Sequence, residues 1–163
     1  MDKKLRALLC IDYQNLYHKA REYGHDFQIL PYVAFLRTLY GIKYEHVFIF
    51  MSADFYKSMH KNVKRYVLKG GSIRLSTRTR AEDGDDPVDK KMAREVLSAI
   101  RQNDIDIILV GSSDGVFAKL GTVAWHWNKE FHVYPYAEPS NKYRRHVNSV
   151  FPVHSRIDLP VRR

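Results

Sequence analysis

A single cysteine, Cys10, occurs in 163 residues. That excludes a disulfide framework and any zinc site built on thiolates, and it suits a reducing compartment, the cytoplasm. No apolar run is long enough to cross a bilayer, so no membrane role is expected. The N-terminus Met1-Asp2-Lys3-Lys4 leads into about eight mostly apolar residues ending at Asp12, with no small-residue cleavage site, which reads as a strand and not a secretory signal. No Gly-x-Gly-x-x-Gly follows that strand and no Gly-Lys-Ser/Thr loop occurs anywhere, which argues against a nucleotide cofactor. No Gly-x-Ser-x-Gly elbow is found, and Ser112-Ser113 has no evident histidine partner. Acidic residues are also in short supply, 18 against 27 Lys and Arg, for a net charge of +9. With 45% hydrophobic residues the chain can form one packed domain. The partners that such a charge attracts are polyanions.

The charge is segregated. Residues 56–80 carry eight cations and no acid: Lys57, Lys61, Lys64, Arg65, Lys69, Arg74, Arg78 and Arg80. Residues 141–163 contribute a further +5, including Arg144 and Arg145, so the remainder of the chain sums to −4. Much of that negative charge lies in 81–95, as Glu82, Asp83, Asp85, Asp86, Asp89 and Glu95. Two basic zones flanking an acidic one suggest a phosphate-binding track beside a carboxylate centre. His60, Tyr66, Tyr143 and His146 interleave with the cations and offer rings for unpaired bases. For Lys57, Lys61, Lys64 and Arg65 the alternative is an ordinary solvated helix face.

Apolar patterning alternates strands with helices. Leu5–Ile11 is a run for a strand buried on both faces. Leu30, Val33, Leu36 and Tyr40 predict a helix, Val47–Phe50 a strand, and Phe55, Met59, Val63, Tyr66 and Val67 a second helix. Ile73 and Leu75 mark a short strand, and 76–87 a polar loop. Val88, Met92, Val96 and Ile100 step by four through a third helix, with Asp89 in its first turn. Ile105–Val110 is a strand, and Val116, Leu120, Val123, Ala124 and Trp127 line the next helix. Phe131–Tyr136 is a strand, Asn141–Val147 a short helix, and Val150–Val153 a last strand on which Pro152 marks a sheet edge. This order predicts a three-layer α/β/α domain over residues 1–153, with a mainly parallel sheet of five to six strands, and a basic tail over 154–163.

In such a sheet, ligands bind beyond the carboxyl ends of the strands. Asp12 ends the first strand, Asp114 follows the fourth, and Asp89 opens the helix after the third. Three carboxylates there would repel one another, and a divalent cation would relieve that repulsion. Oxygen ligands favour Mg²⁺ or Mn²⁺ over zinc. Each aspartate read singly could instead serve a helix N-terminus. Asn15 is placed to orient a water or a carboxylate, or else to shape a turn. Asp86, Ser112 and Ser113 are candidates for support. Glu95 reads as a surface ion pair with Lys91. Trp125-His126-Trp127 reads as packing, with Trp127 on the core face.

The segment Ile11-Asp12-Tyr13-Gln14-Asn15-Leu16-Tyr17 resembles the opening signature of NYN domains, the LabA-like branch of the PIN-like nucleases. Val88-Asp89 is similar to that family's Val-Asp at its central helix. Leu109-Val110-Gly111-Ser112-Ser113-Asp114-Gly115-Val116-Phe117 is similar to its strand followed by Ser-Gly-Asp-x-Asp-Phe. The order of these motifs matches over about residues 5–153. The resemblance implies a PIN-like fold and a divalent metal held by Asp12, Asp89 and Asp114, with Asn15 in support. It also implies endonucleolytic cleavage, usually of RNA, single-stranded or structured. A homodimer is compatible with it. Two positions depart from the pattern: Val116 stands where a second aspartate is common, and Asn148 stands near a late one. Fewer acids leave open a single metal, a weaker enzyme, or an RNA-binding adaptor that does not cut.

Overall fold

The computed structural model describes residues 6–40, 43–58, 72–76, 87–102, 104–144, 147–154, 156, 157, 159 and 161. Six strands form one sheet: β1 (Arg6–Asp12), β2 (Lys43–Ser52), β3 (Ser72–Ser76), β4 (Ile107–Gly111), β5 (Glu130–Val133) and β6 (Ser149–Val150). Their spatial order is β3-β2-β1-β4-β5-β6 and every pairing is parallel. Between them run α1 (Tyr13–Glu22), α2 (Ile29–Tyr40), α3 (residues 53–58), α4 (Pro87–Ile100) and α5 (Ala118–His126). Short 3₁₀ turns cover Gly115–Phe117 and Asn141–Arg144.

The continuous apolar run of β1 is explained by its central place, with helices over both faces. Alternate residues point to opposite sides of a strand. Ala7, Leu9 and Ile11 join α1 and α2 in one core, through Leu16, Ala20, Tyr32 and Leu36. Leu8 and Cys10 join the other, built with Met92, Val96 and Ile100 of α4 and with Leu120 and Ala124 of α5. Strand β4 is shared in the same way, with Ile107 and Leu109 on the first side and Ile108 and Val110 on the second. Each such side chain, fully buried, contributes about 1.5–3 kcal/mol.

Several expectations are corrected. A helix, α1, follows Asp12 directly, and its buried face of Tyr13, Leu16, Tyr17 and Ala20 has helical spacing. It stops at Gly24, whose φ of 78° is one that a side chain disfavours. On α2 the inward stripe is Ile29, Tyr32, Val33 and Leu36, while Leu30 faces out. Strand β2 is longer than its apolar part, and β5 ends at Val133. Neither Val116 nor Trp127 is in the core; they are 48% and 49% exposed. The cause is register: the 3₁₀ turn before α5 puts Phe117 inward in place of Val116, and α5 ends at His126 before it can carry Trp127 round. The C-terminal segment lies against the domain, with Ile157 and Leu159 on the first core and Val161 bridged to His25. The predicted stripe of α4 is in place, with Val88, Met92, Val96 and Ile100 all buried; of the stripe expected over 55–67, Phe55 packs against the first core, and Met59, Val63, Tyr66 and Val67 lie outside the described residues. No helix among the described residues is long and apolar enough to cross a membrane.

Candidate metal and nucleic-acid site

The strand order reverses between β1 and β4: the chain winds outward from β1 to β3, then returns to place β4 on the other side of β1. At such a switch point the loops leaving two adjacent strands part, which opens a crevice at their carboxyl ends. Ile11 and Gly111 are paired across this boundary, so Asp12 and Ser112 are the next residues out on either side.

Asp12 is 5% exposed. Its Oδ2 accepts a 2.9 Å hydrogen bond from Ser112 Oγ, and Ser112 Oγ in turn accepts from the Asp114 N–H at 3.1 Å. Asn15, on the first turn of α1, receives both the N–H and the Oγ–H of Ser113 on its Oδ1, each at 3.0 Å. These bonds tie the loop after β4 to the end of β1. A second clamp comes from the 140s: the Ser140 N–H donates to Ser113 O at 3.0 Å, and the Tyr143 hydroxyl donates to Asp114 O.

Asp12, Asp89 and Asp114 line one cavity of about 220 Å³, together with Asn15, Gln14, His18 and Val88. Their common location has an electrostatic signature in the buried Tyr143. Burial pushes its pKa up, and the charges of Asp114, Asp12 and Asp89, in that order, push it further. The helix-terminus alternative holds in part for Asp114, whose Oδ1 accepts from the Val116 N–H at 3.0 Å. Asp12 makes no such cap bond to α1. Asp89 is half-buried on the first turn of α4. Among the described residues, no three His, Cys, Asp or Glu side chains converge closely enough to ligate one ion directly. The three carboxylates nonetheless offer oxygen donors, with the His18 imidazole on the same cavity. A cation such as Mg²⁺ keeps several of its waters and takes only one or two carboxylates directly, and one cavity holding three carboxylates fits that habit.

Gln14 and His18 escaped the sequence reading because α1 did. Once that helix is drawn, they stand four residues apart on one face, His18 three beyond Asn15. Gln14 Oε1 accepts from the Ser52 N–H at 2.7 Å and so links the end of β2 to the site. Tyr143 is no stacking platform, being 3% exposed. Asn148 is not at the site either. Its Oδ1 accepts from the Phe131 N–H at 2.8 Å and its own N–H donates to Phe131 O at 2.9 Å, near the amino end of β5. Glu95 is half-buried and close enough to Cys10 for its charge to add to burial in raising the thiol pKa. Of the basic candidates, Lys57 is exposed on α3. Arg74 and Arg144 have described backbone, in β3 and in the Asn141–Arg144 turn. Lys61, Lys64, Arg65, Arg78, Arg80 and Arg145 lie outside the described residues, as do Asp86, His60, Tyr66 and His146.

The parallel sheet and its switch-point cavity define an α/β domain with a carboxylate-lined site. The family model of the NYN domain matches residues 6–152, and the chain belongs to the NYN domain family. Members of that family are generally nucleases. In three dimensions the chain is similar to the crystal structure of a protein of unknown function from Vibrio parahaemolyticus, with a TM-score of 0.72. The two share 19% sequence identity, over 94% of this chain and 95% of that one, so the likeness is one of fold. No curated protein matches the chain.

Proposed function

We propose that this protein is a divalent-metal-dependent endoribonuclease of the LabA-like branch, acting on single-stranded RNA in the cytoplasm. The observation that carries this reading is the single cavity shared by Asp12, Asp89 and Asp114 at the β1/β4 switch point. These residues would hold Mg²⁺ or Mn²⁺, which when bound supplies charge neutralisation and an acidified water. Asp12 is oriented for this by Ser112. Asn15, with its Oδ1 committed to Ser113, has its amide N–H groups to offer to a phosphate or water oxygen. Lys57, Arg74, Arg144 and the neighbouring cations of the two basic zones would hold the strand by its phosphates.

A strand of unstructured RNA incubated with Mg²⁺ or Mn²⁺ should be cut internally. Asp114→Asn should lower the rate by about two orders of magnitude, the scale for removing one charge-stabilising group. Equal rates for the two proteins, or cutting that survives a chelator, would sink the mechanism. A second reading, an RNA-binding adaptor without cleavage, draws on the absence among the described residues of three converging ligands. It would show salt-dependent RNA binding and no metal-dependent cutting.

A further inference from the structure

The 3₁₀ turn Gly115–Phe117 separates the acid cavity from a second, larger one. The latter measures about 610 Å³ and is lined by Val116, Lys119, Thr122, Asn141 and Lys142 around Gly115. That volume falls in the range of small-ligand pockets. Its chemistry is opposite to that of its neighbour, with two lysines, two uncharged polar groups and no carboxylate among the described residues of its lining. Val116 is on this lining and is nearly half exposed, although the turn that carries it buries Phe117 completely. Lys142 lies along Gly115, since a Cβ at that glycine would stand 2.9 Å from Lys142 Cδ. The wall is braced by the Tyr143 and Ser140 bonds to the backbone of Asp114 and Ser113.

We propose that this second cavity is a nucleotide subsite, which seats the unit of a single-stranded RNA next to the phosphodiester lying at Asp12, Asp89 and Asp114. The inference rests on the nuclease reading for its ligand class. Lys142 and Lys119 receive the phosphates that leave the acid cavity, and the apolar face of Val116 lies under a base. Asn141 and Thr122 offer hydrogen-bonding groups to that base or its ribose. Charge complementarity favours a polyanion here, and the two linings adjoin in the chain, with Asp114 on the acid cavity and Gly115 and Val116 on the larger one. A strand crossing between them passes from cations to the carboxylate centre within one nucleotide step.

The test is fluorescence anisotropy with a labelled ten-nucleotide oligoadenylate and an abasic ribose-phosphate strand of equal length, in a chelator and in Mg²⁺. Lys119→Gln with Lys142→Gln should weaken both strands about tenfold near 100 mM salt and lower the slope of log affinity against log salt by about 1.4, or 0.7 per lost contact. Val116→Asn should weaken the oligoadenylate by about threefold or more and leave the abasic strand within about twofold, since apolar contact with the base is all it removes. All variants are surface changes, and thermal melting confirms their folding. If the unmodified protein binds and cuts RNA while the variants bind both strands as it does, the subsite is overturned and the nuclease reading stands. If the unmodified protein binds neither strand under either condition, both fall.

Discussion

Ser112 Oγ, one residue beyond β4, donates a 2.9 Å hydrogen bond to Oδ2 of Asp12 at the end of β1. Both residues are buried, and the bond spans the boundary where the sheet reverses direction. A donor fixed on a buried carboxylate sets its rotamer and satisfies one of its oxygens. Ser112→Ala removes that donor, and also the acceptor for the Asp114 N–H. We expect a stability loss of about 1.5–3 kcal/mol, the scale of a hydrogen bond to a charged group, measured by urea titration. RNA cleavage should fall further than the stability change explains at a temperature where the variant is folded. A variant as stable and as active as the parent would show that Asp12 is positioned by other contacts.

Gly111 is required by a close approach. A Cβ at this position would lie 2.5 Å from Tyr32 Oη and 3.2 Å from Leu16 Cδ1. Tyr32 cannot easily yield, since its hydroxyl donates to Tyr134 O at 2.8 Å in the buried core. Gly111→Ala should therefore cost about 1–3 kcal/mol, as overpacking does. Tyr32→Phe removes the obstructing oxygen, and Gly111→Ala combined with Tyr32→Phe should cost less than the two separate losses summed. Additive losses in denaturant titrations would refute the steric account.

His132 makes stability depend on pH. Its ring is mostly buried between β5 and β6, with Nδ1 2.6 Å from Ser149 Oγ and Nε2 3.9 Å from Glu130 Oε1. Burial lowers its pKa from 6.5, and the charge of Glu130 offsets this only in part. The unfolded chain consequently binds the proton more readily than the folded one. This contribution to stability is complete above about pH 7 and declines as the pH falls below about 6.5 towards the folded value. Urea midpoints should fall over that window, and His132→Gln should flatten the fall. Parallel profiles for the two proteins would remove His132 as the cause.

Much of this layout is legible in the residues themselves. The unbroken apolar run of β1 needs helices on both faces, and the four-residue steps of α4 put Asp89 on its first turn. Asp12 and Asp114 follow directly, as strand-end residues of what prove to be neighbouring strands. Strand order is not so encoded, because side-chain pattern reports which faces are buried and not which strand lies alongside. The β1/β4 boundary, and with it the joining of the two aspartates, is a property of the three-dimensional fold. Helix α1 is less legible, because polar residues from Gln14 to Arg21 outnumber the four that form its Tyr13/Leu16/Tyr17/Ala20 face. Val116 and Trp127 misled for another reason. Helical spacing assumes one unbroken helix, and a 3₁₀ turn shifts the register by a fraction of a turn.

Asn148 poses the sharpest contrast between motif and geometry. By motif, it stands near the place of a late aspartate before the final strand. By geometry, its side chain and its backbone both pair with Phe131, which is aligned with Ile108 on β4. Ile108 is three residues before Gly111, so this joint lies about 10 Å below the strand ends at 3.3 Å per residue. A carboxylate there could still accept from the Phe131 N–H, but it would be too far from Asp12 to share an ion. Asn148→Asp should therefore leave Mg²⁺- or Mn²⁺-dependent cleavage within about twofold of the parent, as for an exposed substitution remote from the chemistry. A rise of tenfold or more, with a tighter apparent metal affinity, would mean that residue 148 reaches the site in the working enzyme and that the β5–β6 pairing rearranges to allow it.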